Sequence, residues 1–167
     1  MHATHNTLSE NIRAQSAELL NKHLAAAIDL HGQVKQAHWN VRGAGFMAVH
    51  ELFDDVAEAV ETYSDMIAER TGGVGSTAFG TVQTATKRSF LVPYELGVAD
   101  VSEHVFAVSA SLAAFGQSVR DAAAEATVFG DANTADLLTE VSRGIDHQLW
   151  FVESHAPAKT DIRAVQK

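Results

Sequence analysis

The chain has 167 residues, with 46% hydrophobic and 20% charged residues, which suits one globular domain with a sizeable core. It has no Cys, which excludes disulfides, thiolate nucleophiles and Cys-based zinc or iron–sulfur centres, so any metal must be held by His and carboxylates. The formal net charge of −9 disfavours nucleic acid as a partner and favours cations. The start of the chain, MHATHNTLSE, lacks a basic stretch followed by an apolar core, and no later segment has the length of a membrane span, so a soluble cytoplasmic protein with no membrane partner is expected.

The first predicted helix runs from about Leu8 to Val41, with Leu8, Ile12, Leu19, Leu20, Leu24, Ala27, Ile28 and Val34 in a helical rhythm. Gly43 and Gly45 break it. A second helix, from about Phe46 to Arg70, places Val49, Leu52, Phe53, Val56, Val60, Tyr63 and Ile67 on one stripe and stops at Gly72 and Gly73. From Thr71 to about Val98 the pattern dissolves into a long crossover with a short helix near Gln83 to Arg88.

Asp100 then caps a third long helix that buries Val101, Val105, Val108, Leu112, Phe115 and Val119 and ends near Gly130. Asp131 or Asn133 caps the last helix, built on Leu137, Leu138, Val141, Ile145, Leu149 and Val152. The expected fold class is all-α: a ferritin-like four-helix bundle with a long crossover between its second and third long helices. One domain covers 1–167, with short flexible tails at about 1–7 and 156–167.

Bundles of this class can hold two metals in their interior by Glu-x-x-His pairs on two helices. None of the nine His has Glu three residues before it, which disfavours an in-bundle di-iron oxygenase. On the second helix, however, His50, Asp54, Glu58, Glu61, Asp65 and Glu69 fall within a sector about 100° wide, opposite the apolar stripe. This stripe suits a solvated acidic face, and it is also an inventory of metal ligands. His50 and Asp65 lie ~22 Å apart along the helix, so one chain cannot close both on one ion. Two antiparallel copies related by a two-fold axis near residues 57 and 58 can, and they make two equivalent sites. His38, before the Gly43–Gly45 turn, can fold back beside His50 or play a structural part.

The segments HWNVRG, HELFDD, DMIAERTGG, GSTAFGT and NTADLLTEVSRGIDHQLWFVESH resemble the Dps family over nearly the whole chain, from Leu8 to His155. The resemblance implies a hollow homododecamer with ferroxidase sites at its two-fold interfaces. His38, His50 and Asp54 would come from one subunit, Asp65 and Glu69 from its partner. It further implies an oxidoreductase that oxidises Fe(II), preferentially with hydrogen peroxide, and stores ferric iron, a stress-response role that protects DNA and cell. Trp39, beside the first ligand, would donate an electron to stray oxidising intermediates. The donors suit iron and also zinc as a substitute.

Asp131 and Asp136, at the start of the last helix, are candidate pore residues. DNA-binding members of the family often carry a Lys-rich N-terminal tail, whereas residues 1–10 here contain no Lys or Arg, so weak DNA binding is expected. Lys159, Arg163 and Lys167 supply positive charge at the other end. The alternative reading is a structural nucleoid protein that coats DNA with little ferroxidase activity.

Overall fold

The computed structural model describes residues 1–156, so the expected C-terminal tail, with Lys159, Arg163 and Lys167, falls almost wholly outside the described residues. Five helices follow in order: α1 (Glu10–Asn40), α2 (Phe46–Gly73), α3 (Val82–Arg88), α4 (Val101–Phe129) and α5 (Ala132–Glu153). Among the described residues there is no strand, only one isolated parallel bridge between Arg42 and Asp100. Among the described residues no helix is long and apolar enough to cross a membrane. The architecture is the all-α ferritin-like bundle that the sequence pattern calls for.

Local chemistry explains each boundary. The Ser9 hydroxyl accepts from Ile12 N–H and starts α1 two residues later than Leu8. Val41 leaves α1 in extended conformation, and Gly43 and Gly45 take positive φ angles of 117° and 80° to turn the chain into α2. Asp100 caps α4 by accepting from Ser102 N–H. Gly130, at φ 92°, ends α4 and leads directly into Asp131, which caps α5.

The apolar stripes meet in one core in which Leu20, Leu30, Phe53, Ile67, Leu112, Phe115, Leu138 and Ile145 are fully buried. α1 packs chiefly on α2 and α4 on α5, while α1–α4 and α2–α5 contacts close the bundle. Residues of α1 tie down the crossover: the Asn21 side chain donates to Thr77 O and accepts from Phe79 N–H, Asp29 accepts from Ser89, and Gln33 donates to Val92 O. At the chain start, His2 N–H donates to Gly75 O, and Arg13 donates to Leu8 O and Val74 O.

Where α2 crosses α5, the ring of Tyr63 lies on Gly144, and a Cβ added there would clash with the Tyr63 phenol. A phenol anchored in a helix interface cannot withdraw like the tip of a lysine. Gly144→Ala should therefore lower stability by ~1–3 kcal/mol, the usual cost of overpacking. Denaturant unfolding of the variant checks this, and an unchanged midpoint would mean that α2 and α5 separate freely at this crossing.

Candidate metal centre

The best-organised polar group outside the core sits where α1 ends and α2 begins. An α-helix leaves its last carbonyls without intrahelical donors. The His38 carbonyl is one of them, because the Arg42 N–H that would reach it donates instead to Ala99 O, 2.8 Å away. His50 fills the vacancy: its Nδ1 lies 2.8 Å from His38 O. The contact is reciprocal, with His38 Nδ1 2.8 Å from His50 O.

A carbonyl can only accept, so both Nδ1 atoms carry the ring hydrogen and both Nε2 atoms present a free lone pair. This is how a metal-binding imidazole is ordinarily prepared, with one nitrogen fixed by a carbonyl and the other left to ligate. The two rings stack with centroids 3.8 Å apart and planes 19° from parallel. Phe46, with its ring centroid 5.1 Å from that of His50, covers part of the pair.

Asp54, one turn beyond His50 on α2, brings Oδ1 to 3.9 Å from His38 Nε2. The same oxygen accepts from Lys35 Nζ at 2.5 Å. That hydrogen bond is the main cause holding the Asp54 carboxyl below the usual carboxylate range. Lys35 is thus a cation in the place where a metal would bond to Asp54, and it must yield part of that oxygen to any ion bound there. Nothing in sequence spacing singled out Lys35. It lies one turn before His38 on α1, and its link to Asp54 depends on how α1 and α2 are placed together.

Asp65 and Glu69 are exposed on the same face of α2, further along the helix. The subunit does not bring them to the His38–His50–Asp54 group, since eleven residues from Asp54 to Asp65 span ~16 Å of helix. In keeping with this, no three His, Asp or Glu among the described residues of a single chain gather closely enough to hold a metal. The bundle interior provides no such group either: its buried polar residues are Ser, Asn, Gln and Thr, with His23, His104 and one carboxylate, Asp131.

Trp39 points outward, 67% exposed, with Lys35 Nζ 5.8 Å from its ring centroid. At the start of α5, Asp136 is exposed, whereas Asp131 is 1% exposed. The Asp131 carboxylate accepts from Ser16 Oγ, Thr134 N–H, Thr134 Oγ1 and the Arg70 guanidinium.

With this geometry in view, likeness to known proteins is informative. Residues 17–157 match the family model described as Ferritin-like domain. The chain is 36% identical over 159 residues to the DNA protection during starvation protein of Agrobacterium fabrum, covering 95% of this chain and 98% of that protein. It is 30% identical to the protein of the same name from Mycolicibacterium smegmatis, over 89% of this chain and 80% of the other. Among solved structures, Mycobacterium smegmatis Dps superposes with a TM-score of 0.89 at 29% identity, covering 95% of this chain and 96% of that one. Dps from Microbacterium arborescens in the high iron form gives 0.82 at 29% identity, over 89% and 97%. A ferritin-like match over most of the chain, with full-length relatives at this identity, means that the chain belongs to the Dps family of ferritin-like proteins.

Proposed function

We propose that this protein is a ferroxidase and iron store whose metal sites are completed by pairs of subunits. The observation that carries the reading is the His38–His50 pair, each Nδ1 held by the other residue's carbonyl so that both Nε2 atoms are free, with Asp54 Oδ1 3.9 Å from His38 Nε2. Three donors are half of an iron site. Asp65 and Glu69 of the partner subunit supply the rest when two α2 helices cross antiparallel near residues 57 and 58. The acidic stripe of α2 then faces a second copy rather than bulk water.

Fe(II) is the substrate. Carboxylates favour the ferric product, imidazoles hold the ion before oxidation, and positions left open admit the oxidant. Two Fe(II) and one hydrogen peroxide give two Fe(III) and two water molecules with uptake of two protons, so that hydroxyl radical is avoided. Trp39 stands beside the site as an electron donor for the occasional one-electron product. Zinc suits the same donors and, being redox-inert, acts as a competitor.

The assembly we propose is a hollow homododecamer of single-domain chains, in the cytoplasm or at the nucleoid, that protects DNA and cell under oxidative stress. Iron passes near the start of α5, where Asp136 exposes its carboxylate and Asp131 is engaged within the subunit. Twelve copies at −9 each carry about −108 of formal charge, which weakens attraction to phosphate and fits weak DNA binding.

Anaerobic loading with Fe(II), followed by half an equivalent of peroxide, tests the chemistry. Optical absorption should show all the iron oxidised and all the peroxide consumed. Oxidation of only half the iron, with hydroxyl radical trapped in solution, would contradict the two-electron reaction.

A further inference from the structure

The side of the bundle away from α1 and α2 carries a groove that the iron-oxidising reading leaves unused. It runs between α4 and α5, over Phe106, Ala110, Ala113 and Leu149, with Asp146 and Glu153 on its α5 side. Alanines let another element approach closely, but small residues alone identify no occupant. Ser109 is more telling. It is 7% exposed and lines the same groove, and its Oγ is buried with no hydrogen-bond partner among the described residues. A buried hydroxyl left unmatched costs stability, so the groove suits an occupant that brings an acceptor to this point.

The chain itself arrives at one end of the groove. A Cβ added at Gly116 would lie 3.7 Å from Asp146 Oδ1, so Gly116 and Asp146 are level. Antiparallel packing then puts Glu153, seven residues on, level with Ser109, and Ala156 level with Phe106. There the chain turns over the end of α5: His155 N–H donates to Val152 O and Ala156 N–H to Glu153 O, and Ala156 is partly buried against the core. Pro157, lacking an N–H, does not extend the helix.

Residues 157–167, PAKTDIRAVQK, follow from that point. Ala158, Ile162 and Val165 recur at helical spacing, with Lys159, Arg163 and Lys167 forming a second stripe beside them. The groove repeats the first interval in Phe106, Ala110 and Ala113. Laid parallel to α4, such a helix sets small Ala158 on large Phe106, and large Ile162 and Val165 on the two alanines. The same register brings Glu153 level with the turn between Lys159 and Arg163, Asp146 level with Lys167, and Ser109 level with Asp161.

We propose that residues 157–167 fold back along the α4–α5 groove of their own subunit as an amphipathic helix. Ile162 and Val165 cover its alanines, Lys159 and Arg163 flank Glu153, and the Ser109 hydroxyl donates to the Asp161 carboxylate. The expected flexible tail thereby becomes a docked element, with its cations held at carboxylates of the subunit. The groove lies away from the acidic face of α2, so this docking is independent of the iron-oxidising reading.

Cross-linking on the assembled protein tests it, since a chain with no Cys reports only on thiols placed by design. Val165→Cys is combined with Ala113→Cys in the groove, or with His147→Cys, exposed on the opposite side of α5 and similarly far along the helix from Ala156. Under mild oxidation the Ala113 pair should close within one chain at least tenfold faster than the His147 pair, as read by mass spectrometry after denaturation. Glu153→Lys should slow that closure several-fold, and adding Lys159→Glu should recover much of it. Equal rates for the two pairs, or no closure at Ala113, would overturn the docking. Closure at Ala113 chiefly between chains would assign the groove to a second copy and overturn docking within the subunit. Failure of Lys159→Glu to rescue Glu153→Lys would overturn the register.

Discussion

Co-refolding His50→Ala subunits with Asp65→Ala subunits should recover about one quarter of the wild-type rate of peroxide-dependent iron oxidation, although each variant alone has lost the fast reaction. Each single substitution removes a ligand from every site. In a shared-site dimer of unlike chains, one interface site lacks both ligands and the other has its full set. Random assembly pairs unlike chains about half the time, so about one quarter of the sites are intact. A ligand set contained in one chain predicts no recovery. Stopped-flow oxidation by stoichiometric peroxide measures the rate, and native mass spectrometry confirms that the shells are mixed. Finished shells mixed without refolding serve as the control, since their pairs do not exchange.

Asp131→Ala should destabilise the fold by ~3–5 kcal/mol, the usual cost of removing one partner of a buried ion pair. The Arg70 guanidinium, 17% exposed, loses the carboxylate 2.7 Å away, while α5 loses its cap and Ser16 its acceptor. The same side chain makes stability depend on pH. Burial raises the Asp131 pKa, but hydrogen bonds from Ser16, Thr134 and Arg70 outweigh it and leave the value below the ordinary 3.8. A carboxyl with a depressed folded-state pKa stabilises fully above its unfolded pKa and loses that contribution as pH falls through the folded value. Wild-type stability should therefore drop on acidification from about pH 5 to below 3.8 more steeply than that of Asp131→Asn. Denaturant unfolding at several pH values checks this, and parallel pH profiles would show that the Asp131 pKa is the same in the folded and unfolded states.

How much of this was legible in the sequence follows from which interactions are periodic along one helix. The stripe of Val49, Phe53, Val56, Val60 and Ile67 fixed both the buried face of α2 and, by opposition, the outward face of His50, Asp54, Asp65 and Glu69. Gly43 and Gly45 marked the turn that returns the chain and sets His50 against His38. Helix ends were legible where a side chain caps them, as at Asp100 and Asp131, and less so at the start of α1, where apolar Leu8 suggested helix and Ser9 governs.

Other contacts between elements were not legible. Lys35 to Asp54, Arg70 to Asp131 and Tyr94 to His104 each depend on the rotation of one element against another, which residue spacing within a single element does not encode. Asp131 shows the consequence most clearly. Its acidity and place at the start of a helix suit a cap, an ion pair and a pore equally well on paper, and only packing reveals that its oxygens are already occupied within the subunit.

The shared site is tested most directly by locating the metal. Crystals grown without oxygen and soaked in Fe(II) would give anomalous scattering on both sides of the iron absorption edge. The account predicts iron at the two-fold interface, bonded by Nε2 of His38 and His50 and by Asp54 of one subunit, with Asp65 and Glu69 of the partner subunit closing the shell. Iron inside a single bundle, or at His38 and His50 with the partner's carboxylates turned away, would contradict it.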